Sequence, residues 1–253
     1  VPQNWVEISK SLITFNWQFN SNFITTVVAF LGTTISPYLF FWQASEEVEE
    51  RTLEDQIEQK YVHPKMIKKM RWDTVLGMFL SQLVAFSIVV TCASVLNKNG
   101  ITDIASAQDA ASTLRPLVGD MAGLFFTIGI IGAGLLGVPI LAGSAAYALS
   151  EALGWREGLF HKFKEAIGFY GIIIVSTLIG LGINFIGIDP IKGLFYSAVL
   201  NGIVAVPLIA IIVIISSRRD LMGKYINKPI SKVFGWLTFV VMLTAVTAMF
   251  IYL

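Results

Sequence analysis

Six stretches of this 253-residue chain contain no Asp, Glu, Lys or Arg: 11–45, 74–97, 121–150, 166–188, 193–217 and 233–253. Each is long enough for the roughly 20 apolar residues that cross a bilayer core as a helix. A soluble domain can hold an apolar core, but about a quarter of its residues are charged; here the fraction is 14% against 55% hydrophobic. The pattern predicts an all-α polytopic membrane protein with six spans, the first over about 22–45.

The lysines and arginines divide unequally between the two sets of connecting segments. Segments 46–73, 151–165 and 218–232 carry fourteen of them, and the opposite side holds Lys10, Lys98, Arg115 and Lys192. The positive-inside rule then places those three loops in the cytoplasm, with the first span running inward. Net charge is +1, without a basic, aromatic-laced patch, so nucleic acid is not an expected partner; the lipid bilayer is. The single Cys92 excludes a disulfide framework or a cysteine zinc cluster within the chain. The N-terminus, "VPQNWVEISK", begins without Met and reads as the interior of a longer chain.

The spans differ in character. Segments 74–97 and 233–253 read as continuous packing helices. In 121–150, Gly123, Gly129, Gly132, Gly134, Gly137 and Gly143 suit close helix packing, and Pro139 suits a kink. "GIDPIKG" reads as a tight outer turn, and Asn201 as an interhelical hydrogen-bonding amide.

The first span is unlike the rest. Pro37 lies in its middle, preceded by Gly32, Thr33, Thr34 and Ser36. Proline removes a backbone donor and pushes the residue before it out of helical geometry, so a break is expected within 33–38. Backbone leaves the helix at membrane depth only where protein or a water-lined cavity satisfies it, and transporters use such breaks as ion sites. The hydroxyls and freed carbonyls are hard oxygen donors. Beyond the break, Gln43, Glu47 and Glu50 share a helical face as an acidic mouth, whereas Glu49, Glu54, Asp55 and Glu58 read as a solvated extension.

"GTTISPYLFFWQAS" resembles the hallmark helix of the NRAMP family of divalent-metal transporters, G-T/A-x-x-M-P-H-N-L-x-L-H-S. "FFTIGIIGAGLLGVPILAGSAAYALSEALGW" is similar to that family's eighth span and "SSRRDLMG" to its tenth, and the match runs from about residue 20 to 253. The resemblance implies a LeuT-type inverted-repeat fold, of which this chain supplies the second repeat and one further helix. It implies a divalent metal ion as substrate, no cofactor, and partnership with N-terminal helices that carry a D-P-G-N motif. The family's methionine falls on Ser36, a carbonyl donor on Thr33, and two histidines on Tyr38 and Gln43, while Asn201 matches a site-closing glutamine. The implied metal residues are Thr33, Ser36 and Asn201, with Gly32 and Pro37 at the break and Thr34, Tyr38, Gln43 and Glu47 along the pathway.

Oxygen in place of a thioether favours Mg²⁺ or Mn²⁺. Without histidines in this helix, family-style proton movement through it is not expected; His63 and His161 lie in inner loops. The expected location is a bacterial inner membrane. Alternatives are a LeuT-fold transporter of a small organic solute and a relative that has lost transport. An enzyme is not expected, because the spans hold no His-rich cluster, no Ser/Lys or Asp/Asp pair, and no nucleotide-binding loop.

Overall fold

A computed structural model describes residues 5–14, 20–54, 64–96, 100, 106, 119–183, 185–187 and 189–252. Lys60, His63, Asp55, Glu58, Lys98 and Arg115 lie outside the described residues, as do the side chains of Arg51 and Glu54. Among the described residues the secondary structure is helical throughout. The order is α1 (Trp5–Ile13), α2 (Ser21–Ile35), α3 (Pro37–Glu54), α4 (Pro64–Thr91), α5 (Asp120–Leu153), α6 (Ile167–Ile183), α7 (Pro190–Ser217), α8 (Arg219–Met222) and α9 (Pro229–Tyr252). A π-helical turn, Cys92–Leu96, continues α4.

Among the described residues five helical segments are long and apolar enough to cross a membrane: Ser21–Glu50, Pro64–Ser94, Gly123–Leu153, Pro190–Ser217 and Pro229–Tyr252. The sixth apolar helix, α6, has 17 residues, the lower limit for a span.

Local sequence sets the helix ends. Asn20 caps α2, its side chain accepting from Phe23 N at 2.8 Å. The segment read as a tight outer turn is a helix start. Asp189 caps α7 by accepting from Ile191 N at 2.9 Å, and Pro190 takes the first position, where its missing donor costs nothing. At the other end of α5, Gly154 adopts φ +67°, and Trp155 N donates to Ser150 O at 2.8 Å. Gly154 N donates to Glu151 O at 3.1 Å, completing a Schellman end for which glycine carries no Cβ penalty. α5 and α7 continue as helix through Pro139 and Pro207.

The chain forms two compact units. One comprises Asn16–Gln43, Ile140–Glu157 and Ala166–Leu253. Its main core joins Ile24 and Val28 of α2, Ala205, Val206, Ile209 and Val213 of α7, and Met242, Val246 and Met249 of α9. A second cluster joins Ala146 and Tyr147 of α5 to Ala166 and Phe169, with Trp42 packed against it. The other unit comprises Val1–Phe15, Ala44–Pro139 and Gly158–Glu165.

Two packing expectations change. α9 contributes core residues, but α4 buries none of its side chains and exposes Val75, Leu76, Phe79 and Leu83. An all-round apolar helix of this kind is matched to lipid or to other helices. Along α5, a Cβ on Gly129, Gly132, Gly134 or Gly137 would meet nothing within 4 Å. Gly143 does serve close packing, lying beneath the Trp42 ring.

Candidate functional site

The break falls on one residue. α2 ends at Ile35, α3 begins at Pro37, and Ser36 between them sits in the left-handed region at φ 44°, ψ 76°. It is the one non-glycine residue with positive φ among those described. Such a conformation costs an L-residue roughly 1–2 kcal/mol, so the surroundings must hold it.

Three hydrogen bonds of Ser36 do so. Ser36 N donates to Gly32 O at 3.0 Å, the single bond of an αL helix end. Pro37 has no N–H to give Thr33 O, its partner in an uninterrupted helix. Ser36 Oγ donates to that carbonyl instead. Leu39 N donates to Ser36 O at 2.9 Å, starting α3. Thr34 Oγ1 turns back to Phe30 O at 2.8 Å.

Ser36 is only 5% exposed. Its hydroxyl hydrogen points at Thr33, which leaves the oxygen's lone pairs available as acceptors, and a carbonyl oxygen such as Thr33 O has a second lone pair. The break therefore gathers hard oxygen donors about the buried Ser36, where α2 ends and α3 begins. Among the described residues no group of three His, Cys, Asp or Glu side chains forms that could hold a metal. The oxygens gathered at the break, the Ser36 hydroxyl and the Thr33 carbonyl, are neutral.

α7 meets α2 one turn before the break. A Cβ on Gly32 would overlap Ala198 O and Gly202 N. A Cβ on Gly202 would stand 2.8 Å from both Val28 Cγ1 and Val28 O. Backbones this close admit only glycine, and Ala198 with Gly202 gives α7 the small-residue spacing of close membrane-helix contacts. The sequence reading named Gly32 for the break and gave Gly202 no packing role. The four-residue spacing of Ala198 and Gly202 was the available signal.

Asn201, adjoining that contact, is partly buried. The interhelical hydrogen bond expected of it is not formed among the described residues, and none joins it to Thr33 or Ser36. Thr33 is exposed, Thr34 and Tyr38 are partly buried, and Pro37 is buried.

On α3, Gln43 is exposed and Glu47 partly buried. Trp42 reaches α5 and stands edge-on to Tyr147, ring centroids 5.9 Å apart, while Tyr147 stands edge-on to Phe169 at 4.8 Å. The stack ties the start of α3 to α5 and α6 within one unit. Glu49 departs from its expected solvated role. Its Oε1 accepts from Leu159 N at 2.6 Å, a bond across 110 residues that fastens α3 to the 158–165 turn. His161 lies in that turn, 3.6 Å from Glu165.

Apolar helices of spanning length, one of them broken at an oxygen-rich turn, mark an integral membrane protein. The family model described as natural resistance-associated macrophage protein-like matches residues 1–252, and the chain belongs to this NRAMP family. It is 29% identical over 219 residues to a divalent metal cation transporter MntH of Clostridium acetobutylicum, covering 86% of this chain and 47% of that protein. A protein of the same name from Caldanaerobacter subterraneus subsp. tengcongensis is 26% identical over 225 residues, with 85% and 48% covered. Another, from Ralstonia nicotianae, is 25% identical over 251 residues, with 97% and 54% covered. The chain thus spans about half the length of the curated relatives it matches.

Proposed function

We propose that this protein moves divalent metal cations across a membrane by secondary transport, with the break at Ser36 forming half of the ion site. The observation that carries the reading is the buried left-handed serine, whose hydroxyl and neighbouring carbonyls form an oxygen cluster inside a spanning helix. Support comes from NRAMP membership and from relatives named as divalent metal cation transporters.

The fold we infer is the LeuT-type inverted repeat, in which two broken helices face each other near the midplane. Residues 1–253 supply the second repeat, and the other half of the site comes from helices that precede it. Loops 46–73, 151–165 and 218–232 face the cytosol of a bacterial cell membrane. Thr33 and Ser36 contribute oxygens to the ion and Asn201 closes the site from α7. Thr34, Tyr38, Gln43 and Glu47 line the way inward.

The ion is a hard one. Thioether sulfur favours soft and borderline metals, whereas hydroxyl and carbonyl oxygens suit Mg²⁺, Ca²⁺ and Mn²⁺. Ser36 stands where the family motif has methionine, so this half of the site offers oxygen alone. Mg²⁺ retains several waters and needs room for them, which a serine leaves and a methionine fills. We therefore assign Mg²⁺ or Mn²⁺ as substrate, with weak discrimination against Mg²⁺. Uptake of both ions into proteoliposomes holding the full-length protein tests the reading, which is lost if neither ion enters above protein-free liposomes.

A further inference from the structure

The three basic-side loops differ sharply in charge balance. Segment 46–73 holds six bases against eight acids, and 151–165 holds three of each. Segment 218–232 holds five bases against Asp220 alone, a net of +4 in a chain whose whole net charge is +1. That single acid is already engaged. Arg218 donates to it through Nη2 at 2.7 Å and Nε at 3.2 Å, and this pairing holds the Asp220 carboxyl below the usual carboxylate range.

Arg219, Lys224, Lys228 and Lys232 remain, with no carboxylate in ion-pair distance among the described residues. Lys224 Nζ lies 5.3 Å over the Tyr225 ring, a contact that orients the ammonium without neutralising it.

The segment is built rather than loose. Asn227 N donates to Ser216 O at 3.0 Å and its Nδ2 to Ser216 Oγ at 2.8 Å, folding the chain back onto the last turn of α7. The four bases are thereby held at one end of the packed α7–α9 pair. Apolar side chains alternate with them: Leu221 is 60% exposed and Ile230 70%. Charged heads beside exposed apolar side chains, at the end of two spanning helices, match the boundary between lipid headgroups and acyl chains. Soluble phosphate would use the charges and leave Leu221 and Ile230 in water.

We propose that segment 218–232 is a binding surface for the phosphate headgroups of anionic phospholipids in the leaflet it faces, held by Arg219, Lys224, Lys228 and Lys232. The proposal rests on the membrane reading of α7 and α9 and is independent of which ion is carried. Clustered bases beside a spanning helix draw anionic lipid, each contributing about fivefold in affinity, ~1 kcal/mol.

The test is binding of short-chain phosphatidylglycerol to the purified full-length protein in neutral detergent, with phosphatidylcholine and inorganic phosphate as separate arms. Phosphatidylglycerol should bind in preference to both. Lys228→Gln and Lys232→Gln should each weaken it about fivefold, and the variant with all four bases as glutamine should abolish the preference, while Lys192→Gln leaves it unchanged. Equal binding by wild type and the single variants overturns the proposal, whether or not the fourfold variant folds. So does inorganic phosphate that competes at the lipid's own concentration. Metal uptake is not read in this assay, so failure of the transport reading and failure of the lipid surface are separable.

Discussion

The Ser36 hydroxyl donates to the Thr33 carbonyl, the acceptor that Pro37 cannot serve. One residue thus absorbs both consequences of the proline, the misplaced backbone and the unpaired carbonyl. The two residues proposed as ion ligands are joined to each other by this hydrogen bond.

Ser36→Ala separates the two burdens. It keeps the left-handed strain and leaves the Thr33 carbonyl without the donor that replaces the missing Pro37 N–H, at a cost of about 1–3 kcal/mol. Ser36→Gly loses the same hydrogen bond but relieves roughly 1–2 kcal/mol of backbone strain. Thermal unfolding in detergent should therefore rank wild type and Gly close together, with Ala clearly below; Ala equal to wild type would remove the hydrogen bond from the account.

The contact between α2 and α7 gives a second ranking. Gly32→Ala meets backbone atoms of Ala198 and Gly202 that cannot turn aside, and should cost at least about 1–3 kcal/mol. Gly202→Ala meets Val28 and should cost less, because Cγ1 can rotate away even though Val28 O cannot. Gly77→Ala on α4, with nothing within 4 Å, should be neutral or stabilising by up to about 1 kcal/mol. Denaturation midpoints in one detergent check the order.

Glu49 is expected to steady the 158–165 turn. Glu49→Ala removes the acceptor of Leu159 N and should cost roughly 0.5–1.5 kcal/mol, and Glu49→Gln, whose carbonyl still accepts, should recover most of it. Hydrogen exchange at Leu159 reads this bond directly: faster in Ala, near wild type in Gln.

Asp220 sets a pH dependence at the acid end. Its folded pKa is lowered by Arg218, so its contribution to stability is fully present above the unfolded value of about 3.9 and disappears as pH falls through the folded value. The group is exposed, and the effect is small. An NMR titration of Asp220 should give a midpoint below the free-carboxylate value in wild type and a higher one in Arg218→Gln.

Much of the fold was legible because membrane spans are written in uncharged length: 193–217 lies within α7 and 233–253 follows α9 closely. The basic loop ends were less so, since α3 runs on to Glu54 and α4 starts at Pro64, both within the segment read as a loop. Charge marks the edge of the lipid, not the end of a helix. The position of the break was readable from Pro37, yet the role of Ser36 as its left-handed cap was not, because single-residue φ depends on what packs around it. Contacts across 110 residues, such as Glu49 with Leu159, leave no local trace. The glycine stripe of α5 shows the converse, a strong packing signal with little packed against it in this chain.

Residues 1–253 alone should give no metal flux in liposomes above empty ones, since an inverted-repeat site needs both halves. Flux from the purified segment would place the whole site within it.

The central claim, that Ser36 faces the transported ion as an oxygen donor, is tested most directly by calorimetric titration of Cd²⁺ in excess Mg²⁺. Wild-type and Ser36→Met full-length protein are compared. A thioether at this position should raise Cd²⁺ affinity by about tenfold, ~1.4 kcal/mol, and weaken competition by Mg²⁺. Unchanged Cd²⁺ affinity in a folded Ser36→Met protein would contradict it, leaving Ser36 as a cap of the helix break that never meets an ion.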